Sequence, residues 1–402
     1  MQGLFAILFL CYAVLPCLSA RITPQANPTY NVVDYGASGN GQDDDSQAFL
    51  KAWDAVCNGN EDSPTLFIPK RKTFLLQPMV FQGPCNPSTI NIQVQGTIIA
   101  PGSVDAWKWQ SNSYKETWLK FSNINGLVIN GGGLIDGQGG PWWECFAQSK
   151  CQRPSALSFH SCENLQLSGV TQINSPGGHV RINGCNGSRI SRLHLVAPKD
   201  SPNTDGLDIS SSSNVVIQNS KMEVGDDCVV INGGSSFINI SGIYCGPGHG
   251  ISIGSLGGNG AYAAVEEVHV KNCTFTRSSS GARIKTWEGG SGYARKITYE
   301  DIVLVEVQNP ILVTQHYRIR SAIDARKAVK VSDITFKNFR GTASRDSAVQ
   351  LICDEVIGCS NIVLDQIQIT SSVPGKKTNA TCLNAHGTSS SSNVPQIPCL
   401  QK

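Results

Sequence analysis

Apolar residues along this chain fall in short alternating runs rather than in helical stripes. Val215-Val-Ile217, Val229-Val-Ile231, Ile238-Asn-Ile240 and Ile251-Ser-Ile253 are set off from one another by Gly, Asn and Ser. Alternation over so few residues marks short strands. From about residue 120 the runs recur loosely. Aligned apolar positions fall at Ile129, Leu167, Ile190, Ile217, Ile240, Val270, Tyr299, Phe336 and Leu364, at intervals of roughly 23–38 residues. The expected fold is therefore all-β, a right-handed parallel β-helix; a propeller would need a longer and steadier repeat with four strands per blade. Asn125, Asn164, Asn214 and Asn361 precede strands and read as turn formers. Asp43–Cys57 is the one convincing helix. Phe49, Ala52, Trp53 and Val56 share a face there, and Asp45 or Ser46 is placed to cap it. Its simplest role is a lid that hides the strand edges of the first coil.

Composition narrows the picture. The 402 residues carry a formal charge of +2, only 15% are charged and 40 are Gly, which suits strands and tight turns. A near-neutral chain has no broad basic surface, so no nucleic-acid partner is expected and any attraction for a polyanion must be local. Residues 1–20 read as a secretory signal, with an apolar core at Leu4–Leu15 and a small-residue cleavage site at Leu18-Ser-Ala20. No other stretch is comparably apolar, so 21–402 is expected as a single soluble domain, monomeric and without a membrane partner. Cysteines close in sequence suggest Cys145–Cys151, Cys228–Cys245, Cys353–Cys359 and Cys382–Cys399, with Cys57–Cys85 as a fifth bridge. Cys162, Cys185 and Cys273 are expected buried and unpaired. Sequons at Asn186, Asn239, Asn272 and Asn379 agree with secretion, although the first three border strands.

The candidate chemistry lies between Asn203 and Lys285. Asn203-Thr-Asp-Gly206, Gly225-Asp-Asp-Cys228, Gly248-His-Gly250 and Arg283-Ile-Lys285 are spaced close to the repeat interval. If each interval is one turn of the coil, three carboxylates, one imidazole and two cations meet on one face. Crowded carboxylates repel, so one keeps its proton while a neighbour stays ionised. Glycosidic bond cleavage needs such a pair, and Arg with Lys suits a substrate bearing carboxylates. Asp205, Asp226 and Asp227 could instead serve a calcium ion, but no acidic residue lies near the later blocks to complete its shell. No cofactor and no metal are expected.

In this order and spacing the four blocks resemble the signature of the polygalacturonases of plant type, glycoside hydrolase family 28. The likeness extends to both flanks, including Asn31-Val-Val-Asp-Tyr-Gly and Gly137-Gln-Gly-Gly-Pro-Trp-Trp143, whose aromatic pair is read as packing. It implies a secreted cell-wall enzyme that hydrolyses α-1,4 galacturonan (pectin) with inversion and without metal. By that resemblance Asp226 is the general acid, Asp205 and Asp227 hold and deprotonate the attacking water, and His249 hydrogen-bonds an aspartate. Asn203 positions an aspartate or the sugar. Arg283 and Lys285 grip a galacturonate carboxylate, and Tyr317 contacts substrate. The match departs around Tyr317, where Thr314 and Arg318 stand in place of the family's acid and cysteine. Arg181 is a candidate further cation in the cleft. Rival readings are a calcium-dependent pectate lyase and a wall-binding protein without turnover.

Overall fold

The structure, a computed structural model, describes residues 27–109, 115–317 and 327–400. The expected signal segment and Arg318 lie outside the described residues. Two parallel sheets wind around one another. Among the described residues the smaller has eleven strands, running from Met79–Gln82 through Ser155–His160, Leu207–Ser210, Val229–Ile231, Ile251–Leu256 and Ser280–Thr286 to Asn379–Leu383. The larger has nineteen and forms two walls; Ser213–Glu223, for instance, pairs with both Arg189–Ser191 and His194–Val196, carrying one strand around the corner between them. The result is a right-handed parallel β-helix.

The register read from the sequence holds rung by rung. Ile129, Leu167, Ile190, Ile217, Ile240, Val270, Tyr299, Phe336 and Leu364 each pair with the next. All are buried, as an inward row must be when one strand face lines the core. The row also continues backward through Ile92 and Leu66. Within it, the rings of Tyr299 and Phe336 stack with centroids 5.7 Å apart.

Ser46–Asn58 forms the lid helix, and Phe49, Ala52, Trp53 and Val56 are buried on one face as expected. Its capping differs from expectation. Asp45 occupies the cap position but makes no side-chain cap hydrogen bond. Its carboxylate instead turns back to accept the Ser38 and Gly39 amides (2.6 and 3.2 Å), anchoring the Gly-rich turn. Asp44 accepts the Ser46 amide at 3.1 Å. A second helix, Gly140–Ala147, was not anticipated. Proline lies in its first turn, where a missing N–H costs nothing, and Trp142 packs edge-on against Trp107. The five expected disulfides are present, and Cys162, Cys185 and Cys273 are buried and unpaired. Asn164, Asn214 and Asn361 take the left-handed conformation of turn residues, whereas Asn125 does not; Asn123 does so instead. No helix among the described residues is long and apolar enough to cross a membrane.

Candidate active site

Four successive strands of the eleven-stranded sheet assemble the site. Leu207 pairs with Val229, Val229 with Ile251, and Ile251 with Ala282. Asp205, Asp227 and His249 each lie two residues before the paired residue of their strand, so the coil stacks them at one edge. Turns that approach closely make the stacking possible. A Cβ on Gly225 would lie 2.1 Å from the Ser201 carbonyl oxygen. Gly250 has φ +88°, and a Cβ there would lie 2.2 Å from the Gly281 carbonyl oxygen. The buried Thr204 hydroxyl accepts the Gly225 amide at 2.9 Å, tying the first loop to the second.

Asp226 is held on both oxygens. Oδ1 accepts from the Asp227 amide (2.9 Å) and lies 2.7 Å from His249 Nδ1; Oδ2 accepts from the Asn203 amide nitrogen at 3.1 Å. Asp205 Oδ1 accepts the Asp227 amide at 3.1 Å. The nearly buried Asp227 takes the Lys285 ammonium on Oδ2 at 2.8 Å and Ser252 Oγ on Oδ1 at 2.7 Å, with the Arg283 guanidinium closing on the same Oδ1. Arg283 Nε also donates to Ser252 Oγ at 2.9 Å. Ile284, between the two cations, is buried in the core. Tyr317 is more exposed, its ring centroid 5.2 Å from Lys285 Nζ.

The surroundings move the protons of two carboxylates apart. Burial, then the like charges of Asp226, Asp227 and Asp208, hold Asp205 well above the usual carboxylate range. Burial also pushes Asp226 upward, but the His249 hydrogen bond, with the charges of His249, Lys285 and Arg283, outweighs it and leaves Asp226 below its ordinary value. The surroundings therefore favour the proton on Asp205 over Asp226, the reverse of the simplest expectation for a general acid. The cause is positional: Asp226 touches the imidazole, whereas burial and neighbouring carboxylates outweigh the more distant charge of Lys285 at Asp205. Arg283 and Lys285, expected to grip substrate, close on Asp227 in this state. Asp226, Asp227 and His249 offer donor atoms within 4.8 Å of one another, a grouping of metal-ligand type. Yet Asp227 is already compensated by two cations, and a calcium ion would need more oxygens than this set provides.

Three participants escaped the sequence reading. Asp208 is half-buried, 2.8 Å from the Asn232 amide nitrogen and 3.7 Å from Arg181 Nε; desolvation holds its carboxyl above the usual range despite Arg181. Ser252 bridges Asp227 and Arg283. Both stand at the middle of apolar–polar–apolar triplets, so the alternation already marked them as facing outward with Arg283. Arg153 donates to Asn203 Oδ1 at 2.8 Å from a loop about fifty residues earlier, and nothing in the local pattern marks it. Arg181 lines a cavity of about 270 Å³ with Lys120, Ser158, His160, Asn183 and Asp208, continuing the groove beyond the acids.

A parallel β-helix with three aspartates, a histidine and two cations in one groove defines a class: a polysaccharide-cleaving glycoside hydrolase. Comparison with known proteins agrees. Residues 57–393 match the model for glycosyl hydrolases family 28, and the chain belongs to that family. A probable polygalacturonase of Arabidopsis thaliana is 48% identical over 92% of this chain and 80% of its own length. An exopolygalacturonase of Zea mays is 38% identical over 89% of this chain and 88% of its own. Among solved structures, the endo-xylogalacturonan hydrolase of Aspergillus tubingensis superposes with a TM-score of 0.76 at 25% identity, covering 91% of this chain and 100% of that one. The protein is a glycoside hydrolase of the pectin-degrading kind.

Proposed function

We propose that this chain is a secreted polygalacturonase that hydrolyses the α-1,4 bonds of galacturonan by inversion, without a metal ion. The observation that carries the reading is the grouping of three carboxylates on successive rungs, with His249 on Asp226, the Asp227 amide shared by Asp205 and Asp226, and Arg283 and Lys285 closing on Asp227. Asp205, held above the usual carboxylate range by burial and by the like charges beside it, takes a proton from the attacking water once ionised. Asp227, with both oxygens engaged by cations and Ser252, orients that water and holds Arg283 and Lys285 in place. Asp226 delivers the proton to the leaving glycosidic oxygen. Its proton comes from the hydrogen-bonded pair with His249. An anionic sugar entering beside Asp226 disfavours a second negative charge there, which draws the shared proton from Nδ1 onto the carboxylate. A substrate carboxylate also competes with Asp227 for Arg283 and Lys285, which recruits these cations to the sugar. Tyr317 forms the rim beside Lys285.

The test is release of reducing ends from polygalacturonate. Asp226→Asn keeps the shape of the side chain but has no carboxyl proton to give. It is expected to lower kcat by about 10²–10⁴-fold with KM little changed. An unchanged rate would remove Asp226 from the role of acid. No turnover by the unmodified protein would favour a wall-binding role, and an ultraviolet-absorbing unsaturated product would favour a lyase.

A further inference from the structure

Asn203 contacts Asp226 through a side chain whose two ends look alike in shape and opposite in chemistry. With the amide nitrogen toward Asp226 Oδ2, at 3.1 Å, it donates to the carboxylate. Turned over, it would set a carbonyl oxygen against that carboxylate and repel it. Something must decide which end faces the acid. Arg153 is the neighbour that can, because a guanidinium only donates. Its Nη2 lies 2.8 Å from Asn203 Oδ1, and its Nη1 donates to the adjoining Pro202 carbonyl oxygen. Oδ1 is thereby committed to Arg153, and Nδ2 is left for Asp226. Asn203 itself sits at φ +48°, a left-handed conformation that Asn tolerates, so its loop has a defined shape to be held in.

The guanidinium is itself held. Its Cζ lies 3.8 Å from the ring centroid of Phe146, near the end of the helix Gly140–Ala147. The Cys145–Cys151 bridge closes the short segment between that helix and Arg153. Pro154 follows directly and restricts Arg153 to extended backbone. From there the chain enters Ser155–His160, a strand of the groove sheet. Burial lowers the proton affinity of Arg153, and the nearby charges of Asp205 and Asp226 offset only part of this. Guanidinium groups stay charged in proteins, so the lock persists across the working pH range.

We propose that Arg153 is a positioning residue for Asp226, acting through Asn203 by fixing which face of its amide meets the acid. The inference rests on the reading of Asp226 as proton donor. It assigns a purpose to the tryptophan-bearing helix and its small disulfide loop: they brace Arg153 against the Asp226 loop from a separate part of the chain. A structural brace alone would affect folding. An orientation lock affects the acid.

The experiment measures kcat, KM and their pH dependence on polygalacturonate for Arg153→Ala, Arg153→Lys, Asn203→Ala and the double variant Arg153→Ala/Asn203→Ala, with thermal unfolding beside each. Arg153→Ala is expected to lower kcat by about 10²-fold, the size of effect that small misplacement of a reacting group produces. KM should change little, and the pH profile should shift. Arg153→Lys should recover part of the rate, since an ammonium still donates to Oδ1 without the second prong of the fork. The double variant should be no slower than Asn203→Ala, because the two residues act in series. If Arg153→Ala folds, keeps its pH profile and loses rate additively with Asn203→Ala, the inference is overturned. If Arg153→Ala fails to fold, Arg153→Met decides, since it keeps the stem and cannot donate: full activity with an unshifted profile overturns the inference. No hydrolysis by the unmodified protein overturns instead the reading of function on which the inference depends.

Discussion

Asp205 and Asp226 carry the same group on successive rungs, and their neighbours move their protons in opposite directions. That difference has a consequence for stability as well as rate. Asp205 is raised in the folded protein. Its contribution to stability is fully present below the ordinary carboxylate value of about 3.9 and is lost as pH rises through the raised folded value. Asp226 is lowered, so its contribution is present above the ordinary value and is lost as pH falls through the lowered one. Asp205→Asn removes a desolvated acid. It is expected to raise the thermal midpoint at neutral pH, to lose that advantage in strong acid, and to abolish turnover. Calorimetry across pH with a reducing-end assay checks all three, and an unchanged midpoint at neutral pH would show that Asp205 is not destabilised by burial. The site aspartates were legible as a group because Asp205 and Asp227 precede their strands by two residues and Asp226 adjoins Asp227. Their proton order was not, since it depends on the 2.7 Å approach of His249 to Asp226 rather than on spacing. Arg153 was illegible for a similar reason, because a long side chain from another row reaches the site across space.

At the level of elements, two disulfides make a matched pair. Cys228–Cys245 and Cys382–Cys399 each span a sequence separation of 17. Loop-closure entropy assigns both a similar effect, about 3 kcal/mol. Their settings differ. Cys228 directly follows Asp226 and Asp227, and Cys245 opens the turn that presents His249, so this bridge ties the acid to its imidazole partner. Cys382–Cys399 closes the C-terminal end, away from the groove. Replacing either pair with alanines should lower unfolding stability comparably in denaturant titration. Replacing the first should also lower kcat on polygalacturonate by 10-fold or more, about 1.4 kcal/mol of barrier, while the second should leave kcat alone. Equal kcat losses would mean that the first bridge has no special role in the site. Both pairings were visible as close cysteines in the sequence. The capping of the lid helix was not, because Asp44 and Asp45 are adjacent equivalents and only the fold directs Asp45 back to Ser38 and Gly39.

The whole molecule is a stack in which each rung covers the one before, and its first rung needs a cover of another kind. The helix Ser46–Asn58 supplies it, with Trp53 almost wholly buried, edge-on to Phe81 at 5.4 Å and donating to the Gln82 carbonyl at 3.1 Å. Trp53→Ala should cost about 3–5 kcal/mol and promote aggregation through uncovered strand edges, as read by denaturant unfolding and light scattering, with the pH profile of the surviving enzyme unchanged. Wild-type stability in that variant would remove the helix from its role as lid. The inward row was legible from residue 129 onward because regular burial on one strand face imposes a repeat. Its earlier members, Leu66 and Ile92, lie where the intervals are broken by turns and the lid helix. The groove runs from the cavity beside Arg181 to Lys285, and in the proposed reaction one face of it binds a chain and supplies both acid and base. The most direct test follows the anomeric proton of the new reducing end by NMR during early turnover of polygalacturonate, with chelator present. Metal-free hydrolysis of an α-linkage with inversion should form the β-anomer first, at an unreduced rate. An α-anomer appearing first, or activity that stops with chelator, would contradict it.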